Sequence, residues 1–188
     1  MIAPSLGTKA IRIAVAGVAV CGLGALVSAC DTTSSAGAVN SNLEKGIAAV
    51  QAGQTGQAEQ YLSEVITSPG ATVSQKAAAY FNRAEARSQA GNTSQAIADY
   101  SKAVANAPTM INAWYNLAVA ETSVNYSAAL RDYDKVLALQ PSNQAALYNS
   151  GILLYSHGDK AAGIARIRHA IAINPQLASQ VPSYINLG

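Results

Sequence analysis

The chain has 188 residues, half of them hydrophobic, with 12 basic side chains, 10 acidic side chains and only two cysteines. A chain of this length can bury about 70% of its extended surface in one domain without disulfide support. The nearly balanced charge, without a basic run, argues against nucleic-acid binding. Two cysteines, Cys21 and Cys30, exclude a disulfide framework and a multi-cysteine metal site.

Residues 1–29 have the three parts of a secretory signal peptide. Lys9 and Arg12 supply the positive start, an apolar run begins at Ile13, and small residues close the segment. The closing sequence Leu26-Val27-Ser28-Ala29-Cys30 resembles the lipobox of bacterial lipoproteins, whose cysteine is lipidated and becomes the new N-terminus. The resemblance implies that acyl chains on Cys30 anchor the protein to a lipid bilayer. The residues alone leave an uncleaved membrane anchor as the alternative, because the apolar run approaches the length needed to cross a bilayer.

The residues from Cys30 onward indicate which membrane holds the protein and how the domain is attached to it. A lipoprotein resemblance implies a lipid-anchored, periplasm-facing protein of the bacterial envelope, with the outer membrane slightly favoured. Asp31 resembles an inner-membrane retention signal of enteric bacteria and leaves the inner membrane open. Residues 30–40 are small and polar without periodicity, which predicts a flexible tether.

Four later segments share a pattern of two helices, and the second helix of each ends at a proline. The prolines, spaced by 39, 33 and 34 residues, are Pro69, Pro108, Pro141 and Pro175. On each second helix a small residue precedes a bulky one by four positions, which lets neighbouring helices nest closely. The small residues are Ala58, Ala96, Ala129 and Gly163, and the bulky ones are Leu62, Tyr100, Tyr133 and Ile167.

The first helices of the four segments align in the same way. Bulky residues stand at Tyr80, Trp114 and Leu147, and small ones at Gly46, Ala84, Ala118 and Gly151. Gly53, Gly91 and Gly158 follow the first helix of their segments, where a positive φ is expected. The third segment places Asn125 near its turn, and asparagine also tolerates that conformation.

Together these columns resemble the tetratricopeptide repeat, which has a period near 34 residues. The resemblance implies an all-α solenoid of about four helix-turn-helix repeats over residues 41–175, with a concave groove lined by the first helices. The repeats span about residues 40–69, 76–108, 110–141 and 144–175. Residues 176–188 form a short cap, with Leu177 covering the last apolar face, and a tail that frays beyond Pro182.

Arg83 stands in the column that holds Leu117 one repeat later, so a charge points toward a half-buried seam. Asp99 lies on the facing helix. We therefore predict an ion pair between Arg83 and Asp99, which avoids an uncompensated buried charge.

Catalytic chemistry is not expected. The chain has two histidines, His157 at a turn and His169 on the outward side of the last helix, and neither has a cysteine or acid arranged for a metal or for catalysis. No phosphate-binding glycine motif or calcium loop occurs in the sequence. We expect a non-enzyme without cofactor or metal.

The expected groove carries aromatic and amide side chains. Some tetratricopeptide domains bind C-terminal carboxylates through paired lysines and arginines, but no groove candidate here is basic, so that mode is not favoured. These aromatic and amide side chains could bind an extended peptide, or they could only pack within the domain, as such residues commonly do in this repeat family. The candidates are Phe81, Asn82, Glu85, Tyr115, Asn116, Val119, Tyr148, Asn149, Ile152 and Tyr155.

The sequence thus predicts a membrane-anchored scaffold that binds a protein or peptide segment. Its class resembles the tetratricopeptide lipoproteins that assist pilus or secretion-system assembly. Two alternatives remain: a self-associating structural lipoprotein that forms homo-oligomers, and an accessory tether for a peptidoglycan-processing enzyme.

Overall fold

The structure is a computed structural model that describes the backbone of residues 29–187 and the side chains of residues 36–187. This part of the chain contains α-helices, one short 3-10 helix and no strand. The fold class predicted from the sequence, an all-α solenoid of four repeats with a C-terminal cap, is confirmed. The helices are α1 (Ala29–Gln51), α2 (Thr55–Thr67), α3 (Val73–Gln89), α4 (Thr93–Asn106), α5 (Ile111–Glu121), α6 (Tyr126–Leu139), α7 (Gln144–Ser156), α8 (Lys160–Ile173) and the 3-10 helix Pro175–Gln180.

Three of the four turns within repeats depend on a glycine with positive φ. The φ values are 69° at Gly53, 79° at Gly91 and 102° at Gly158. At the second turn, the Gly91 N–H donates to the Ser88 carbonyl at 3.1 Å and the Asn92 N–H donates to the Arg87 carbonyl at 2.8 Å. These two bonds satisfy carbonyls at the end of α3 that the helix leaves open.

The third turn is built differently, and the expectation for Asn125 is wrong. Its φ is −149°, which is extended backbone, and its side chain accepts a hydrogen bond from the Ala128 N–H at 3.1 Å. Asn125 therefore caps the start of α6 instead of ending α5, because an asparagine side chain offers an acceptor to the unpaired N–H groups of a helix start.

In the last repeat, α7 and α8 approach each other backbone to backbone. A Cβ added to Gly163 would lie 2.7 Å from the Gly151 carbonyl oxygen, and one added to Gly151 would lie 2.9 Å from the Gly163 carbonyl oxygen. Two glycines face each other here, so the backbones touch directly. The second and third repeats have alanine at both aligned positions.

The core runs continuously through the repeats. Trp114 packs against the apolar clusters of both the second and third repeats, and Leu137 packs against those of the third and fourth. The Trp114 indole also donates to the Pro108 carbonyl at 2.8 Å, across the link between α4 and α5. Each repeat packs its own two helices together and buries the remaining apolar surface against its neighbour, as in other solenoids.

Both ends of the domain differ from the sequence-based expectation. Residues 30–40, expected as a tether, belong to α1, whose helical backbone begins at Ala29. Val39 is buried, and Asn40 accepts a hydrogen bond from the Gln75 side chain at 2.7 Å. These contacts fix the middle of α1 against α3, and a helix extends readily from a turn that already exists.

The C-terminal segment packs on the last repeat. Leu177 is buried as predicted, but the tail after Pro182 is not frayed, because Ile185 is only 6% exposed within the same apolar cluster. Arg168 on α8 donates a hydrogen bond to the Leu187 carbonyl. Residues 181–187 therefore cover the face that a fifth repeat would otherwise bury.

The signal segment and the Cys30 side chain lie outside the described residues. Among the helices of residues 29–187, none combines the length and apolar character required to span a bilayer.

Candidate functional site: the concave groove and the polar network behind it

The groove candidates lie on the first helices of repeats two, three and four, which are α3, α5 and α7. Nine of the ten side chains are half-buried, and the tenth, Tyr148, is only 5% exposed. The half-buried ones can contact a partner while they also pack against the domain. Their individual contacts decide which of them are free to do so.

The aromatic side chains of repeats two and three pack against the bulky residue of the second helix. The ring centroids of Phe81 and Tyr100 are 5.9 Å apart, and those of Tyr115 and Tyr133 are 6.0 Å apart at an interplanar angle of 66°. Burial raises the pKa of Tyr133 to about 12 and keeps its hydroxyl neutral. These rings hold the two helices of a repeat together and expose one side to the groove.

The amide side chains donate mainly to the protein's own oxygens. Asn82 donates to the Ala78 carbonyl at 2.7 Å, one turn back on α3, and Asn149 on α7 donates to the Tyr115 hydroxyl on α5 at 2.9 Å. Asn116 forms a hydrogen bond with Tyr100, which opposes the effect of burial on the pKa of that tyrosine. The amide ladder therefore joins neighbouring repeats as well as lining the groove.

The fourth-repeat end of the groove is occupied by the chain itself. The Tyr148 hydroxyl donates to the Gln180 carbonyl, and the Tyr155 hydroxyl donates to the Tyr184 carbonyl at 3.2 Å. Ile152 packs against the same apolar cluster as Val181 and Leu187. The open part of the groove is consequently that of the second and third repeats.

Glu85 is the acidic residue among the groove candidates. It is half-buried on α3, and burial raises its pKa to about 7. In the part of the chain that the structure describes, its carboxylate has no hydrogen bond and no ion pair. Its charge acts on Tyr100, whose pKa is raised by burial first and by Glu85 second.

The ion pair predicted between Arg83 and Asp99 is present, and its geometry is bidentate. The Arg83 Nε–Asp99 Oδ2 and Arg83 Nη2–Asp99 Oδ1 distances are both 2.8 Å. Asp99 is 2% exposed, and its carboxylate raises the pKa of Arg83. The fork geometry of the guanidinium matches the two carboxylate oxygens and compensates both charges.

Three further residues extend this pair into a network that sequence reasoning missed. Arg87 Nη1 lies 2.8 Å from Asp99 Oδ2, and its Nη2 lies 3.1 Å from Glu59 Oε2 on α2. Arg83 Nη1 also donates to Ser63 Oγ at 2.8 Å. Arg87 follows Arg83 by four residues and so lies on the same helix face, a spacing that could have indicated its role.

The third repeat has two carboxyl groups where the second has Arg87 and Asp99. Glu121 aligns with Arg87, and Asp132 aligns with Asp99. Burial raises the pKa of both carboxyl groups, and each interacts with the other. Arg131 opposes the shift in both cases. The alignment of the repeats contained this pair, although sequence analysis did not identify it.

The histidines have separate surroundings. The His157 ring stacks on Tyr126 with centroids 4.1 Å apart, and its Nδ1 lies 2.9 Å from the Leu153 carbonyl oxygen. His169 is exposed on α8. Among the described residues, no group of three or more His, Cys, Asp or Glu side chains could hold a metal ion.

Four stacked helix pairs with a half-buried aromatic and amide groove define a protein-interaction α-solenoid. A family model described as tetratricopeptide repeat matches residues 43–111 and 123–178, more than half of the chain. The chain therefore belongs to the tetratricopeptide repeat family. Its class is that of the protein-interaction scaffolds, which are generally non-catalytic and bind protein partners.

Solved structures with the same fold were found at low sequence identity. A crystal structure of MamA has a TM-score of 0.67 and 19% identity, over 75% of this chain and 81% of that chain. A tetratricopeptide repeat protein from Parabacteroides merdae has a TM-score of 0.68 and 22% identity, over 74% of this chain and 54% of that chain. At these identities the likeness establishes the fold alone. No curated protein sequence matches the chain.

Proposed function

We propose that this protein is a membrane-anchored scaffold whose groove binds an extended segment of a partner protein during assembly of a bacterial envelope complex of the pilus or secretion type. The observation that carries the proposal is the open groove of repeats two and three, where Phe81, Glu85, Tyr115 and Val119 remain half-buried. Aromatic and apolar side chains with a few polar groups suit the capture of an extended peptide.

The anchoring part of the proposal depends on the lipobox-like sequence that ends at Cys30. Acyl chains there would hold the domain at one membrane face, on the periplasmic side, and raise the effective concentration of its partners. The outer membrane is slightly favoured, and Asp31 leaves the inner membrane open.

End-to-end self-association is less favoured. Residues 175–187 cover the apolar face of the last repeat and bury Leu177 and Ile185, so another copy cannot stack there without displacing this segment. An accessory tether for a peptidoglycan-processing enzyme would use the same groove, and the identity of the captured partner would distinguish it.

The groove is tested by affinity capture from detergent-solubilised membranes. Asn82→Arg combined with Val119→Arg places two long cations in the open groove and should abolish capture of the partners bound by the native chain. Val124→Arg combined with Leu139→Arg is the matched control, because both residues are exposed outside the groove columns. Unchanged capture by a folded groove variant would contradict the proposal.

The anchor is tested by Cys30→Ser in the full chain. The variant should leave the membrane fraction or retain its uncleaved N-terminal segment, and metabolic labelling with a fatty-acid analogue should be lost. Labelling that persists in the variant would contradict lipidation at Cys30.

A further inference from the structure

Glu85 is a groove carboxylate that has no partner among the described residues. Its oxygens have neither a hydrogen bond nor an ion pair within the described part of the chain, although the side chain is half-buried on α3. Removing a carboxylate from water without a compensating partner is unfavourable. The fold does not require an acidic residue at this position, because the aligned residues of the next repeats are Val119 and Ile152.

The nearby arginines cannot compensate Glu85. Arg83 and Arg87, on the same helix, are directed to the other side, where they hold Asp99, Glu59 and Ser63 at 2.8 to 3.1 Å. Moving either one into the groove would weaken the pairing of Asp99, which is 2% exposed. That exchange would place an uncompensated charge deeper in the domain.

The surroundings of Glu85 suit a long basic side chain. Phe81 lies one helical turn before it, and Phe81 and Tyr100 form an aromatic pair with centroids 5.9 Å apart. Aromatic faces attract cations, and the aliphatic stem of a lysine or arginine packs on apolar surface while its charged head meets a carboxylate. Glu44, exposed on α1, adds a second acid at the register position of Asn82.

We propose that the open groove recognises a partner segment through a lysine or arginine side chain that pairs with Glu85, with apolar residues of the segment packing on Phe81 and Val119. This inference rests on the proposed groove function and specifies the chemistry of the segment. The native chain has a formal net charge of +2, so overall charge does not attract basic peptides and the selectivity must arise locally.

The pairing has a pH signature. Because the pKa of Glu85 is raised to about 7, the carboxyl is largely protonated at about pH 6 and charged at about pH 8, so a basic segment should bind more tightly at the higher pH. The titratable groups on the helices around it are Glu44 on α1, Glu59 on α2, which pairs with Arg87, Arg83 and Arg87 on α3, which pair with Asp99, and Tyr100 on α4.

The test is selection from a phage-displayed random heptapeptide library on the full chain, purified in detergent, at about pH 8. Peptides that bind the native chain and lose binding to Asn82→Arg/Val119→Arg are groove ligands, and they should be enriched in lysine or arginine at one position. Selection on Glu85→Gln should remove that enrichment and keep the apolar positions. Glu64→Gln, at an exposed carboxylate on α2, is the matched control and should keep it.

A double-mutant cycle then measures the contact. Replacing the basic residue of a selected peptide by norleucine should weaken binding to the native chain about tenfold, which corresponds to one favourable charge pair, and should leave binding to Glu85→Gln unchanged. Groove ligands without basic enrichment, or equal losses on both proteins, would overturn this inference and leave the groove function standing. Failure to select any groove ligand would overturn both.

Discussion

Asp99 is the residue on which two arginines depend. It accepts from Arg83 and Arg87 at 2.8 Å and is almost fully buried. Asp99→Asn would leave Arg83 without a carboxylate partner and Arg87 with Glu59 alone, and we expect the free energy of unfolding to fall by about 3 kcal/mol, the usual effect of breaking a buried ion pair. Urea denaturation followed by circular dichroism measures the change.

The control for this prediction is Asp134→Asn. Asp134 also binds an arginine, since its Oδ1 lies 2.7 Å from Arg166 Nη2, but the Asp134 side chain is 51% exposed. Water screens such a pair, and its removal should change the free energy of unfolding by about 1 kcal/mol or less. Equal effects of the two substitutions would show that burial does not govern the strength of these pairs.

The carboxyl pair of the third repeat predicts a pH-dependent weakness. The pKa values of Glu121 and Asp132 are raised in the folded state, so folding favours their protonated forms. Stability is therefore highest below the unfolded pKa values and falls as the pH rises toward the raised folded values.

Glu121→Arg would place an arginine opposite Asp132, as Arg87 is placed opposite Asp99. We expect it to raise the free energy of unfolding by about 1 kcal/mol at about pH 8 and by less at about pH 4, because charge repulsion is then already relieved. Thermal melts at the two pH values measure the difference, and Glu121→Gln should give only part of the gain. A larger gain at low pH would contradict the assignment.

At the scale of helices and turns, the residues aligned between the repeats predicted most of the structure. The glycine turns followed from Gly53, Gly91 and Gly158, because few other residues adopt a positive φ. The prediction for Asn125 was wrong because asparagine is found both at the end of a helix and at its start. The columns located the groove candidates, but they did not show that Tyr148 is covered, since that depends on how the tail packs.

The glycine contact between α7 and α8 sets a firm steric limit. Gly163→Ala would bring a methyl group within 2.7 Å of the Gly151 carbonyl oxygen, and backbone cannot move aside as a side chain can. We expect a loss of about 2 kcal/mol or more in the free energy of unfolding, since overpacking usually costs about 1–3 kcal/mol.

The matched control is Gly56→Ala on α2, where an added Cβ meets nothing within 4 Å. Alanine favours helix over glycine by roughly 1 kcal/mol, so this variant should be as stable as the native chain or more stable. Chemical denaturation of both variants gives the comparison, and a neutral Gly163→Ala would show that the two helices can separate freely.

For the whole molecule, the C-terminal segment decides how stable the last repeat is. Ile185→Asp would introduce a charge where the side chain is 6% exposed, so residues 181–187 should detach and expose the face of α7 and α8. Hydrogen exchange should accelerate in α7 and α8 and stay nearly unchanged in α3 and α4, because each repeat contacts mainly its neighbours.

Ser183→Asp is the control for the segment, because it introduces the same charge at an exposed position. It should leave the exchange rates of α7 and α8 unchanged. Acceleration spread evenly over all helices in the Ile185 variant would indicate that the solenoid unfolds as one unit.

The network around Asp99 has a consequence for how such an array can change by gain or loss of modules. Its bonds join Glu59 and Ser63 of one repeat to Arg87 and Arg83 of the next. Excising the second repeat would remove the arginines that Glu59 and Ser63 bind, and duplicating it would give the second copy's arginines Ile97 and Ser101 in place of Glu59 and Ser63. The apolar boundary at Trp114, by contrast, could be copied with little penalty. Repeats inserted or exchanged in the C-terminal half should therefore be tolerated. The same changes at the junction of the first and second repeats should destabilise the domain.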